Sequence, residues 1–248
     1  AGFDPAKIVY SGVGKTAAEI DSALEHGICM LNIESRPELE LINQRAALMG
    51  CRAPIAVRVN PDVDPKTHPY ISTGLKKNKF GLTSQAALDV YRDAHRMTHI
   101  DVKGIDCHIG SQITEAGPFR DALLRLRGLI DQLAREKIAI RVVDMGGGLG
   151  ITYRDEQPPH PKAYADAIRE GLSGLDVRLV LEPGRVIVVN AGVLVTRVLY
   201  RKEGDHKSFM VVDAGMNDLI RPSLYDAHHD VWPVSEAAGR RPIQADIV

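Results

Sequence analysis

Six short apolar runs, each closing on a polar or glycine-rich tip, restrict the folds open to this chain. They are Ile8-Val9-Tyr10-Ser11-Gly12, Met30-Leu31-Asn32-Ile33-Glu34-Ser35, Ile55-Ala56-Val57-Arg58-Val59-Asn60, Gly104-Ile105-Asp106-Cys107-His108-Ile109-Gly110-Ser111, Val142-Val143-Asp144-Met145-Gly146 and Arg178-Leu179-Val180-Leu181-Glu182-Pro183. Runs of this length suit parallel strands covered on both faces. Helical signals fill the intervals. Thr16-Ala17-Ala18-Glu19 and Ser35-Arg36-Pro37-Glu38 read as capping boxes. Residues 118–136 form the clearest helix, with Phe119, Leu123, Leu126, Ile130 and Leu133 in one apolar stripe. Strand–helix alternation predicts an α/β fold, and the polar tips predict a site at the C-terminal ends of the strands. Six units fit either an open doubly wound sheet or an eight-stranded barrel lacking two N-terminal units.

The texture changes after Arg185. Residues 186–200 are rich in valine, and 208–213 form another short apolar segment. Antiparallel β structure is expected there, giving domains at 1–185 and 186–248. The chain stops at Ile247-Val248, inside what reads as a further strand, and it starts at Ala1-Gly2-Phe3-Asp4 without a methionine. The expectation is an excerpt of a longer chain, with no signal peptide.

Composition excludes several classes. With 248 residues, 44% of them apolar, the chain can bury a sizeable core, and a formal net charge of −1 gives no reason to expect nucleic acid or a membrane surface as partner. No apolar run reaches the roughly 18 residues of a membrane span. Cys29, Cys51 and Cys107 are widely spaced and form no CxxC pair, so neither a disulfide framework nor a metal site is expected. Free thiols in a reducing cytoplasm are the plain reading.

Several strand tips carry chemistry. Gly146, Gly147, Gly148 and Gly150 surround Leu149 directly after a strand, where backbone N–H groups can approach a phosphate, or where the chain needs only a tight turn. No Lys-Ser/Thr follows, so it is not a Walker loop, and the spacing does not fit a dinucleotide fingerprint. His108 and Ser111 end another strand, where the imidazole reads either as a structural hydrogen-bonding residue or as a group that stacks on a planar ring, and Ser111 can donate to a phosphate. Glu182-Pro183-Gly184-Arg185 ends a third. Its carboxylate and guanidinium read either as an ion pair at a rim or as ligands of a cofactor's ring nitrogen and of an anion. Arg58, within an apolar strand, calls for an anionic partner and is read as a structural salt bridge. Arg221 and Tyr225, four apart in a polar loop, read either as surface residues or as a pair facing one ligand.

Taken in order, these motifs resemble the diaminopimelate decarboxylases, pyridoxal-phosphate enzymes of the alanine-racemase-like barrel class. The pieces are Tyr10-Ser11-Gly12-Val13-Gly14-Lys15-Thr16, Arg58-Val59-Asn60-Pro61, His68-Pro69-Tyr70-Ile71-Ser72-Thr73-Gly74 with Lys79-Phe80-Gly81, His108-Ile109-Gly110-Ser111-Gln112, the turn at 146–150, Glu182-Pro183-Gly184-Arg185 and Arg221-Pro222-Ser223-Leu224-Tyr225. The resemblance implies a (β/α)8 TIM-type barrel lacking its first strands, followed by part of a β-sandwich domain. It implies pyridoxal 5'-phosphate as cofactor and a homodimer with a shared active site. His108 would stack on the cofactor ring, and Glu182 would pair with its nitrogen. Ser111, Gly146, Gly147, Gly148, Gly184 and Arg185 would bind the cofactor, its phosphate above all. Arg185, Arg221 and Tyr225 would hold the substrate. The implied reaction converts meso-2,6-diaminopimelate to L-lysine and CO₂, the last step of lysine biosynthesis.

The chain departs from that pattern in what it lacks. The Schiff-base lysine belongs at the end of the first barrel strand in a Tyr-Ala-x-Lys-Ala-like segment, and no such segment occurs. Lys15 belongs to a different motif. The Cys-Glu-Ser segment that the family takes from the partner subunit is also missing. Truncation at both ends is therefore expected, and the piece by itself is expected to be inactive. The rivals are an ornithine- or arginine-type decarboxylase, which would have no distal carboxylate to hold, and a catalytically inactive regulatory homologue. A racemase has no resemblance beyond the barrel pattern.

Overall fold

The structure is a computed structural model and describes residues 2–63, 80–235 and 243–248. The motif at residues 68–74, and Lys79, lie outside the described residues. The chain divides into two compact units, Ala1–Gly150 with Pro158–Val186, and Ile151–Gln157 with Ile187–Val248.

In the first unit, strands and helices alternate as β1 (Val9–Tyr10), α1 (Ala17–Glu25), β2 (Met30–Ile33), α2 (Arg36–Leu48), β3 (Ala53–Asn60), β4 (Leu82–Thr83), α3 (Ser84–Arg96), β5 (Ile100–Asp106), α4 (Gly117–Arg135), β6 (Val142–Asp144), α5 (Pro161–Leu172) and β7 (Arg178–Val180). All the pairings are parallel. The sheet runs β1-β2-β3-β5-β6-β7, with the short β4 added to the end of β3. Each crossover advances in the same direction. A doubly wound sheet would reverse direction at a switch point, so the winding is that of a barrel sector. The unit is a parallel half-barrel.

Local chemistry explains the helix starts. The Thr16 hydroxyl accepts from Glu19 N at 3.3 Å, and the Glu19 carboxylate accepts from Thr16 N at 2.8 Å, a complete capping box. The box expected at Ser35 is only half formed. Ser35 Oγ accepts from Glu38 N, but the Glu38 carboxylate accepts from Glu34 N at 2.7 Å and from Lys15 Nζ at 2.7 Å. The reason is electrostatic. The Lys15 ammonium is buried, also donates to Gly12 O at 2.7 Å and Asn32 O at 2.5 Å, and requires an anion. In α4 the expected stripe is buried as drawn, with Phe119 and Leu133 fully inaccessible.

Two apolar clusters flank the sheet, and period-two alternation sorts the residues between them. Leu31, Ile55, Val57, Ile105 and Val143 join Ile20, Leu39, Ile42, Tyr91 and Phe119 in the large cluster under the helices. Met30, Ala56 and Val142, with Val9 and Val180 packed on them, form a smaller layer on the opposite, concave face. Each large side chain buried in this way contributes about 1.5–3 kcal/mol.

The second unit carries a three-stranded mixed sheet. β8 (Val198–Glu203) pairs antiparallel with β9 (Ser208–Val212), and β10 (Asp246–Ile247) joins β9 in parallel. The valine-rich segment expected to be β from residue 186 begins instead as helix, α6 (Arg185–Val188) followed by a 3-10 turn (Val189–Ala191). The β preference of β-branched residues is weak, and a single helical turn after Gly184 overrides it. A further short helix, α7 (Arg221–Tyr225), interrupts the polar loop after β9.

Gly104 sits in the concave layer where β5 passes between β3 and β6. A Cβ there would lie 2.8 Å from Val142 O and 3.3 Å from Ala56 Cβ. Gly104→Ala is expected to destabilise the protein by about 1–3 kcal/mol through overpacking, read as a lowered urea midpoint.

Candidate active site

One pleat further along each strand, the concave face turns from apolar to polar. The residues two beyond Met30, Ala56, Gly104, Val142 and Val180 are Asn32, Arg58, Asp106, Asp144 and Glu182. Register places Arg58 beside Asp106, and Asp106 beside Asp144. Two residues on again come Glu34, Asn60, His108 and Gly146. A single alternation therefore gathers the chemistry at the C-terminal strand ends, as the polar tips predict.

Hydrogen bonds link the strand ends, two of them across the concavity between strands that are not neighbours. Asn32 Nδ2 donates to Asp144 Oδ2 at 3.1 Å and to Ser11 Oγ at 3.0 Å, and Ser11 Oγ donates to Glu182 Oε1 at 3.2 Å. Arg58 meets Glu34 at 2.8 Å, both buried, and its guanidinium lies 4.8 Å from the centre of the Phe80 ring. Glu34 also accepts from Gly81 N at 3.0 Å. The structural salt bridge expected at Arg58 is present.

His108 is held at both nitrogens. Its Nδ1 lies 3.0 Å from Asp106 Oδ1, and its Nε2 lies 3.0 Å from Glu182 Oε2. Burial disfavours the imidazolium, but the two carboxylates outweigh it and push His108 up to about 10. The hydrogen bond from His108 holds Glu182 down at about 2 against its partial burial. Asp144 is pushed up to about 7, by burial first and then by the charges of Asp106 and Glu182. Burial also raises Asp106.

Glycines bring the strand-end loops together. Gly146 has φ +60, and a Cβ there would sit 2.6 Å from the His108 ring; a Cβ on Gly147 would overlap the Glu182 carbonyl oxygen. The tight-turn and phosphate readings of this segment thus both have a physical basis. Among the described residues, the half-buried N–H groups of Gly147 and Gly148 donate to no protein acceptor. Beside them in the fold, Arg185 Nη2 donates to Ser111 Oγ at 3.0 Å, and Arg185 Nη1 to Gln112 Oε1 at 3.4 Å. Gly184 precedes Arg185, with open space where its side chain would be. A glycine cradle with free N–H groups, a hydroxyl and a guanidinium fits a phosphate; a carboxylate and an imidazole fit a heteroaromatic ring.

In the second unit, Arg221 and Tyr225 share α7 and are in contact. The guanidinium lies 5.4 Å from the Tyr225 ring centre and 5.4 Å from that of Tyr153, whose ring is 5.6 Å from His229. Arg221 Nε is buried and has no hydrogen-bond partner among the described residues. Tyr153, Asp106, Asp144, Asn32 and Ser11 are absent from the residues singled out in the sequence. The strand residues lie in runs whose apolar residues fill both phases of the alternation, so the pattern does not single them out.

The His108–Glu182 pair has a defined pH signature. A raised imidazole contributes its full stabilisation below its ordinary 6.5 and loses it as pH rises through about 10. A depressed carboxylate contributes fully above its ordinary 4.5 and loses it as pH falls through about 2. The pair is fully present between those ordinary values. His108→Gln is expected to cost roughly 2 kcal/mol near pH 5.5 and progressively less toward pH 10, measured by denaturation across pH.

The profile described as pyridoxal-dependent decarboxylase, pyridoxal binding domain, matches residues 1–189. The chain is 58% identical to the diaminopimelate decarboxylase of Pseudomonas aeruginosa over 243 residues, 97% of this chain and 59% of that protein. It is 55% identical to the corresponding enzyme of Vibrio cholerae over 240 residues, 96% of this chain and 58% of that protein. The chain thus spans about three-fifths of the length of these curated relatives. Among solved structures, diaminopimelate decarboxylase from Helicobacter pylori complexed with L-lysine superposes with a TM-score of 0.91 at 43% identity, covering 96% of this chain and 60% of that one. A match of this extent to the pyridoxal-binding domain, on a half-barrel with its polar residues at the strand ends, places the chain in the pyridoxal-dependent decarboxylase family.

Proposed function

We propose that the protein containing this chain decarboxylates meso-2,6-diaminopimelate to L-lysine and CO₂, using pyridoxal 5'-phosphate. The observation that carries the reading is 58% identity, sustained over 97% of the chain, to a diaminopimelate decarboxylase. When bound, the cofactor supplies the electron sink for the pair released as CO₂ departs. The residues present divide the remaining work. Glu182, already ionised at neutral pH, holds a proton on the pyridine nitrogen. His108 packs against the ring. The phosphate is taken by Gly146, Gly147, Gly148 and Gly184 in their turns, with Ser111 and Arg185, which the Arg185–Ser111 hydrogen bond supports.

The family resemblance assigns the substrate, its distal carboxylate above all, to Arg221 and Tyr225, and gives Arg185 a share in holding it. A guanidinium between two aromatic rings with a buried free N–H is suited to an anion. Ornithine and arginine offer no anion there, which disfavours the basic amino-acid reading. The family resemblance further supports a cytoplasmic homodimer with a shared site. No helix among the described residues is long and apolar enough to cross a membrane.

The test expresses the complete reading frame with cofactor and measures CO₂ release from meso-diaminopimelate, L-ornithine, L-arginine and L-lysine. Release from diaminopimelate alone is expected. Preference for ornithine or arginine would overturn the substrate, and a cofactor-loaded protein releasing none would favour the inactive regulatory homologue. Arg221→Gln is expected to raise KM for diaminopimelate by ~10–100-fold with a smaller change in kcat, as loss of a charge-assisted contact requires. Glu182→Gln is expected to lower kcat by ~10²–10³-fold at nearly unchanged KM.

A further inference from the structure

Asp106 has no part in the roles above, yet like Asp144 it is fully buried at the site. It closes β5, its side chain faces the concavity by the parity that orients His108, and none of its surface is exposed. Its Oδ1 lies 3.0 Å from His108 Nδ1. Its Oδ2 is buried and has no hydrogen-bond partner among the described residues. Such a half-satisfied carboxylate costs stability, and an apolar residue of similar volume would be cheaper. The arrangement is therefore not explained by folding alone.

What it secures is the orientation of one ring. The imidazole is bracketed by Asp106 at Nδ1, by Glu182 at Nε2 and by Gly146 against one face of the ring. A half-turn of the ring would exchange Nδ1 with Cδ2 and lose the bond to Asp106. Glu182 is half-buried on a strand-end loop, whereas Asp106 is fixed in the sheet between Arg58 and Asp144. Asp106 is thus the stiffer of the two supports.

We propose that Asp106 is a positioning residue that keeps a proton on His108 Nδ1 and locks the plane in which His108 meets the cofactor ring. The proposal rests on the reading of His108 as the ring-packing residue. Asp106 acts through His108 and touches neither cofactor nor substrate. The strongly raised basicity of His108 agrees with this hold.

The experiment compares Asp106→Asn and Asp106→Leu with the unaltered, cofactor-loaded protein from the complete reading frame. Asparagine retains an acceptor for Nδ1–H without the charge, and leucine retains only volume. Selective ¹⁵N labelling of histidine reports whether Nδ1 of His108 holds a proton. The absorbance of bound cofactor and its dissociation constant report ring packing. Asp106→Leu is expected to lose the fixed Nδ1 proton, shift the cofactor absorbance, weaken cofactor binding by ~10-fold or more and lower kcat by more than it raises KM. Asp106→Asn is expected to recover part of each change, and it decides alone if the leucine variant does not fold. An Nδ1 signal, cofactor spectrum and cofactor affinity unchanged in Asp106→Asn, and in the leucine variant where it folds, would overturn the proposal. Should the unaltered protein bind pyridoxal phosphate yet release no CO₂, the decarboxylase reading fails while the histidine signal still decides the role of Asp106.

Discussion

The first unit depends on burying several charges along one pleat of a curved parallel sheet. Arg58, Asp106 and Asp144 lie in register on adjacent strands, Glu34 at the end of β2 meets Arg58, and His108 follows one pleat beyond Asp106. Each buried ion costs several kcal/mol unless a partner stands close by. Curvature supplies the partners. Asn32 reaches Asp144 across two intervening strands, and Ser11 at the tip of β1 reaches Glu182 beyond β7. On a flat sheet neither pair would meet. The apolar layer of Met30, Ala56 and Val142 beneath them keeps water out from below, so the polar layer opens in one direction only. Fold and site are in this sense one construction.

A second buried cation performs the same service at the rim. Lys15 joins the loop after β1, the carbonyl of Asn32 and the first turn of α2 in one cluster. Since Asn32 and Ser11 both face the concavity, Lys15 fixes the backbone from which two members of the polar network project. The cost is the incomplete capping box of α2, whose Glu38 answers to the lysine and to Glu34 N rather than to Ser35 N. A local rule gives way where a longer-range charge needs satisfying.

Much of this was legible in the sequence. The six runs are six parallel strands, the helix expected at 118–136 is α4, and Arg58 has its anion. Sequence pattern alone could not choose between sheet and barrel, because winding direction is a property of strand order, which periodicity does not encode. Asp106 and Asp144 were hidden differently. In strands buried on both faces, such as β2, apolar residues occupy both phases of the alternation, so neither phase declares itself as the site. The register and the two separate apolar clusters supply the missing phase. Residues 185–191 failed for a simpler reason: β-branched composition marks a preference, and one helical turn is too short to show a period.

Glu34, Asp106, Asp144 and Glu182 are set against Arg58 and a protonated His108, an excess of two carboxylates. Like charges confined in a low-dielectric space do not all ionise, and Asp144, next to Glu182 and raised to about 7, takes up part of the excess as a bound proton. Its two oxygens remain hydrogen-bonded to Asn32 and to Gly146 N, so its position does not depend on its charge. Glu182 is held ionised first of all by the hydrogen bond from His108, beside a neighbour whose proton is held by burial and by the nearby carboxylates. An ionised carboxylate is what a pyridine nitrogen requires of its partner. The burden of protonation in the cluster falls on residues deeper in the sheet, away from the one that is half-exposed at the strand end.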